Sequence, residues 1–261
     1  MKKPLLDVMF ASEKRKKVLL LLQDGPKEMQ FILKSLNTTR QNLLPQMSIL
    51  KEHHLITHEK DVCELTIIGK EILDKIAPAL NTVKVFEDNI DYWGSHTIDF
   101  IPKEFLRRIA ELGSCNLVEL QIQETFEEDR SFIEEAKKSK FLFVITSFIF
   151  PNYNDVLSEL IAAGAEISII VSSGVYEKLL QENPRDLQHF VSNTQVKIYK
   201  YPDSFAFLSF SLTDHSVMFR LLTLEGNYDN KRMLCSSPQA LEWGKDFFYS
   251  YMKKSVLIDK I

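Results

Sequence analysis

Long apolar stretches are missing from this chain: no run in its 261 residues approaches the roughly 20 needed to span a membrane. The first residues, Met1 to Asp7, include lysines but neither an extended apolar core nor a small-residue cleavage site, so no secretory leader is expected. Cysteine is rare. Cys63, Cys115 and Cys235 are odd in number and far apart, and no Cys-x-x-Cys or Cys/His cluster with metal-ligand spacing occurs. This composition fits a reducing cytoplasm, with buried inert thiols rather than sensors, and no metal or other cofactor is expected. Gly-x-Gly-x-x-Gly, a Walker phosphate loop, Gly-x-Ser-x-Gly and His-Glu-x-x-His are also absent. His96 with Asp99, or Asp214 with His215, offers an acid/base pair on paper, but the first lies in a connecting segment and the second in a polar turn. The chain is therefore not expected to be an enzyme.

What is present begins at residue 12. Ser12 is placed to cap a helix whose apolar run Val18, Leu19, Leu21, Leu22 stops at Asp24-Gly25-Pro26, a turn in which glycine accepts positive φ and proline opens the next helix. A second helix is predicted from Lys27 to Leu36. Asn37-Thr38-Thr39 can cap a third that runs to about Glu52. Leu55 to His58 and Val62 to Leu65 alternate as two strands around Glu59-Lys60-Asp61, and Thr66 caps a fourth helix, Ile67 to Ile76. This order predicts a winged helix-turn-helix over residues 1–80.

The third helix has two faces. Leu43, Met47 and Leu50 share one side at spacings of four and three and should pack inward. Gln41, Pro45, Ser48 and Glu52 share the other, flanked by Arg40 and Asn42. Amides suit adenine and guanidinium suits guanine in the major groove. The hydroxyls of Thr38 and Thr39 are better placed for phosphate. Charge agrees: residues 1–85 carry 14 Lys/Arg and 10 Asp/Glu, a formal +4, while the rest carries −8 of the total −4. Lys14 to Lys17 form the densest basic run. The expected DNA contacts are Thr38, Thr39, Arg40, Gln41, Asn42, Pro45, Ser48, Lys51, His58 and Lys60, with double-stranded DNA as partner.

Residues 81–113 read as linker helices. Ile76, Leu80, Val83, Phe86, Ile90 and Trp93 make a narrow seam ended by Gly94, suited to pairing with a second helix and hence to a homodimer. A further helix is predicted from Lys103 to Leu112, closed by Gly113. Residues 114–261 change character. Strands are expected at 117–122, 141–149, 166–171, 196–199, 205–212, 217–224 and 232–235, with helices at about 127–139, from Asn152 or Asn154 to Ala163, at 175–182, after Asn183-Pro184, and after Ser236-Ser237-Pro238. Strand–helix–strand units of this kind specify an α/β layer domain, so the chain is expected to be a two-domain α+β, α/β protein.

Four stretches give the reading a family. Thr38-Thr39-Arg40-Gln41-Asn42-Leu43-Leu44-Pro45-Gln46-Met47, Leu65-Thr66-Ile67-Ile68-Gly69-Lys70, Trp93-Gly94-Ser95-His96-Thr97-Ile98-Asp99-Phe100-Ile101-Pro102 and Ala240-Leu241-Glu242-Trp243-Gly244-Lys245-Asp246-Phe247-Phe248 resemble the archaeal winged-helix transcriptional regulators with a methanogenesis-regulatory middle domain. The resemblance implies a cytoplasmic, sequence-specific DNA-binding regulator with a C-terminal sensing or dimerising domain. A phospholipase-D-like sheet would suit that domain, but its His-x-Lys-x4-Asp is missing: His58 and Lys60 are followed by Leu65 where the Asp belongs. For a small-molecule effector the candidate polar contacts are Ser147, Ser172, Ser173, Arg220 and Tyr228. Arg220 interrupts the apolar run Val217 to Leu222, although strand alternation favours aiming it at solvent. The alternative function is a winged-helix protein-interaction module with a non-catalytic scaffold domain.

Overall fold

A computed structural model describes residues 3–120 and 130–260 and divides the chain into two compact units, Met1–Asn81 and Thr82–Ile261. The first unit opens with α1 (Leu5–Phe10), which the sequence pattern did not announce, and α2 (Glu13–Leu22). Ser12 stands at the N-cap of α2 but its side chain makes no capping bond. After the Gly25 turn, at φ +106°, come β1 (Lys27–Glu28), α3 (Met29–Ser35) and α4 (Arg40–Glu52). Thus the expected second helix begins two residues late, because Lys27 and Glu28 pair with Cys63 and Val62. Strands β2 (Ile56–Glu59) and β3 (Val62–Leu65) complete a three-stranded sheet in the order β1-β3-β2, where the sequence suggested two strands. Glu59 faces Val62, leaving a two-residue turn in which Lys60 and Asp61 both have positive φ, the requirement of a type I′ hairpin. Val18, Leu19, Leu22, Ile32, Leu43, Met47 and Leu50 fill the core between these elements.

Thr66 opens α5 (Ile67–Glu87), accepting a bond from the Gly69 amide at 3.0 Å. The helix runs on through Pro78, well past the expected end at Ile76. It stops before Asn89, and α6 (Ile90–Ser95) starts afresh. This break divides the seam predicted from Ile76 to Trp93. Trp93 turns inward, its indole N–H donating to the Val85 carbonyl at 3.1 Å, whereas Val83 and Ile90 stay exposed. The short α7 (Lys103–Leu106) and a 3-10 turn (Ile109–Leu112) take the place of one helix from 103 to 112. Their apolar residues Phe105, Ile109 and Leu112 join the core of the second unit.

That unit is built on a mixed sheet of eight strands among the described residues: β4 (Cys115–Glu119), β5 (Phe141–Thr146), β6 (Glu166–Ser172), β7 (Val196–Tyr201), β8 (Ser209–Leu212), β9 (Val217–Arg220), β10 (Lys231–Cys235) and β11 (Val256–Ile258). The order is β11-β7-β6-β5-β8-β9-β10-β4, with β5, β6 and β7 parallel. Helices α8 (Arg130–Ala136), α9 (Tyr153–Ala162), α10 (Ser173–Glu182) and α11 (Pro184–Val191) supply Phe132, Leu157, Leu160, Leu179 and Phe190 to one face. The other face carries α12 (Pro238–Met252), whose Trp243, Phe247 and Phe248 are fully buried. Alternation sorts the strands between the two cores: Leu142 and Val144 face one, Phe143 and Ile145 the other. The parts of the predicted strand 117–122 and helix 127–139 that fall within 121–129 lie outside the described residues.

One sequence expectation is overturned by strand pairing. Cys115 and Cys235, expected as separate inert thiols, lie directly opposite each other in the β4–β10 ladder, with Cα atoms 4.4 Å apart, and form a disulfide. A separation of 120 residues concealed it. Cys63 remains a free, buried thiol.

Candidate nucleic-acid interface and effector cavity

Helix α4 is anchored and exposed on opposite sides. Leu43, Met47 and Leu50 are buried, while Gln41, Asn42, Pro45, Ser48 and Lys51 are exposed. Thr39 caps the helix, its hydroxyl accepting from the Asn42 amide at 3.4 Å. Thr38 is half-buried beside it. Arg40 is not a free cation: it pairs with Asp61 in the β2–β3 turn, and His58 Nε2 stands 3.8 Å from the same carboxylate. The pair ties the first turn of α4 to the hairpin tip and leaves Lys60 exposed beyond it. Arg15, inside the basic run, is buried. It donates to the Val8 carbonyl and, at 2.6 Å, to Gln46 Oε1, so it braces α1, α2 and α4. Lys16 pairs with Glu13 at 2.7 Å. Burial pushes the Cys63 thiol above its ordinary range, with Arg40 pulling weakly the other way. Neither Arg15's brace nor Asp61's role was visible from composition, though an Arg beside α2's apolar stripe was a usable signal.

The effector candidates scatter. Ser172 caps α10, accepting from the Val175 amide at 3.3 Å. Ser173 donates to the Pro202 carbonyl at 3.1 Å, and Tyr228 is exposed. Ser147 donates to the Phe207 carbonyl at 2.5 Å and borders a groove between the β5–α9 segment and α10. Arg220 alone of the five lines a cavity of about 100 Å³ under α8 and α9. Its expected exposure is overturned: it is 2% exposed, because helices cover β9 on both faces and leave no solvent side. Thr146, Ser209 and Arg220 stand side by side on three neighbouring strands. Ser209 and Ser211 were missed, yet the alternation Ser209-Phe210-Ser211-Leu212 put both serines on Arg220's face.

Of the two acid/base pairs offered by the sequence, His96 with Asp99 is not formed and His215 with Asp214 is. His96 Nε2 lies 3.0 Å from Asp229 Oδ2 and Nδ1 lies 2.8 Å from the Tyr92 carbonyl oxygen, while Asp99 is exposed. His215 stands 3.6 Å from Asp214 in the β8–β9 turn. Among the described residues no cluster of three or more His, Cys, Asp or Glu could hold a metal, and no helix is long and apolar enough to cross a membrane.

Residues 125–254 match the family model described as the methanogenesis regulatory protein FilR1, middle domain. The stretches 38–47, 65–70 and 93–102 lie outside this match; 240–248 lies within it. No curated protein matches the chain. Among solved structures, TrmBL2, an archaeal chromatin protein described as showing a novel mode of DNA binding, is similar at 13% identity with a TM-score of 0.44, covering 97% of each chain. Phosphatidylserine synthase of Haemophilus influenzae is similar at 13% identity and a TM-score of 0.40, over 56% of this chain and 40% of that one. The phospholipase D family member Nuc from Salmonella typhimurium gives 10% identity and 0.40, over 56% and 100%. At these scores neither fold nor activity is carried over from the three structures.

Proposed function

We propose that this chain, whose residues 125–254 belong to the FilR1 middle-domain family, is a transcriptional regulator that reads duplex DNA with the winged helix-turn-helix of its first unit. The observation that carries the reading is the division of α4: three apolar anchors bury one side, and amide, hydroxyl and ammonium groups occupy the exposed other. Such a helix enters a major groove without giving up its own core. Thr39 and the N-terminal amides of α4 suit a phosphate, Gln41 and Asn42 suit base edges, and Lys51 and Lys60 supply the salt-dependent part of the affinity. Arg40, held by Asp61, aligns helix and wing in this scheme and reaches a base only by exchanging its partner. The regulator works in the cytoplasm as a homodimer, since two-fold proteins read two half-sites.

A mobility-shift titration on genomic fragments from the chain's own promoter region tests the reading. Binding that weakens with salt and loses base preference in Gln41→Ala or Asn42→Ala supports it. A protein-interaction module is the second reading, favoured by the exposed Phe31, Ile67 and Ile68 of the same unit. The absence of any shift would leave that second reading in possession.

A further inference from the structure

Building on the DNA-reading role proposed above, we infer that Asp61 restrains binding: its carboxylate competes with the duplex for Arg40, withholding the guanidinium from phosphate and yielding it to guanine. Arg40 is the first residue of α4, and its guanidinium donates to Asp61 Oδ1 at the hairpin tip. His58 Nε2 stands 3.8 Å from the same oxygen. Lys51 and Lys60, the two lysines proposed for the DNA surface, are exposed and pair with no carboxylate among the described residues. Arg40 differs from them in having to be taken from a partner. The hairpin keeps its place without this pair. The Met29 amide donates to the Asp61 carbonyl at 2.8 Å, and Lys27 and Glu28 pair with Cys63 and Val62. Those backbone bonds tie the hairpin to the start of α3, so the Asp61 carboxylate is not needed as its anchor.

Magnitude decides what can open the pair. Its side chains are 51% and 44% exposed, so water screens it, and closing it favours the free protein by a factor of about five at most. A phosphate offers Arg40 a single charge in the same solvent, and taking it would bare the Asp61 carboxylate beside the DNA backbone. Exchange for phosphate therefore gains nothing. Guanine offers O6 and N7 together, matching two of the five guanidinium donors, and is preferred over a wrong base by roughly 5- to 150-fold. That exceeds the factor the pair withholds. On duplex without guanine the pair stays closed, adds no net charge and releases no counterion. On guanine it opens, and the affinity is lower than Arg40 alone would give by the factor that held the pair closed.

Fluorescence anisotropy of the full chain on its promoter duplex, and on the same duplex with every G·C pair replaced by A·T, tests this through a cycle of variants. Asp61→Asn keeps the side chain's size and suits the positive φ of the turn. It should bind both duplexes severalfold more tightly. On the guanine-free duplex its slope of log affinity against log salt should steepen by about 0.9, as Arg40 meets a phosphate. Asp61→Gly, also suited to positive φ, should repeat the gain. Arg40→Ala should weaken both duplexes, because it bares Asp61. Removing both partners should restore wild-type affinity on the guanine-free duplex but not on the promoter, where the guanine contact is gone. Weaker or unchanged binding by both Asp61 variants, a double variant that stays weak on the guanine-free duplex, or one that reaches wild-type affinity on the promoter would each overturn the inference. A wild-type chain that binds neither duplex would instead overturn the DNA reading itself.

Discussion

Replacing Gly69 by alanine should unfold the first unit early, against the direction that helix propensity predicts. Gly69 is buried in the first turn of α5, where a Cβ would stand 2.1 Å from the Leu55 carbonyl oxygen and 3.0 Å from its carbon. Backbone atoms cannot rotate away as a side chain does, so α5 must lift by about an ångström to restore van der Waals distance. That shift strains the Thr66 amide bond to the Leu55 carbonyl, 3.0 Å, and the Thr66 hydroxyl bond to the His54 carbonyl, 2.6 Å. Overpacking costs about 1–3 kcal/mol, and each weakened bond adds about 0.5–1.5 kcal/mol. Alanine's better helix propensity returns no more than about 1 kcal/mol. At mid-range values the net is a loss of about 3 kcal/mol, and at about 4–8 °C per kcal/mol for a unit of this size the midpoint should fall by roughly 12–24 °C. Scanning calorimetry reads this directly, with the second unit's transition as an internal reference. An unchanged or raised first transition would refute the reasoning, because it would mean that the close approach of α5 to Leu55 is not there.

Changes on α4 and the hairpin tip should separate in their effects: Gln41→Ala or Asn42→Ala relaxes base preference by about 1–3 kcal/mol, whereas Lys60→Ala weakens all sequences alike and lowers the slope of log affinity against log salt by about 0.9, both read by fluorescence anisotropy on matched and scrambled duplexes. Thiol titration of the unreduced chain after unfolding should find one free sulfhydryl, and the folded chain should react slowly because burial raises the Cys63 thiol and suppresses its thiolate; three free sulfhydryls would remove the Cys115–Cys235 bond, which is itself unusual in a reducing cytoplasm. His96→Ala strips Asp229 of its 3.0 Å partner and should cost about 1–3 kcal/mol in denaturant unfolding of the second unit, with no effect on DNA affinity. Light scattering should give a dimer mass, reduced to the monomer by joint replacement of the exposed Val83 and Ile90 with aspartate; a monomer at micromolar concentration, with or without DNA, would remove the homodimer from the proposal.

Local rules made much of this protein readable in advance. Spacings of three and four set the inward side of α4 at Leu43, Met47 and Leu50, because a helix's periodicity is a property of its own backbone. The strand pattern marked β5, β6, β7 and β9, and the polar run Glu59-Lys60-Asp61 marked the hairpin turn, which the pairing of Glu59 with Val62 narrows to Lys60 and Asp61. The stretches Ser236-Ser237-Pro238 and Asn37-Thr38-Thr39 announced the starts of α12 and α4, where Ser237 and Thr39 supply the caps. Where a partner lies far along the chain, no local pattern could name it. β1 exists only because β3 comes back beside Lys27 and Glu28, and β11 only because Val256 to Ile258 meet β7. The Cys115–Cys235 bond follows from a register between strands 120 residues apart. Arg220 reads as a solvent-facing strand residue until helices are laid on both sides of the sheet, and only then is it a buried cation beside two serines. Period and propensity belong to the chain, whereas burial, register and the pairing of distant groups belong to the packed whole, because each depends on what the opposite element brings.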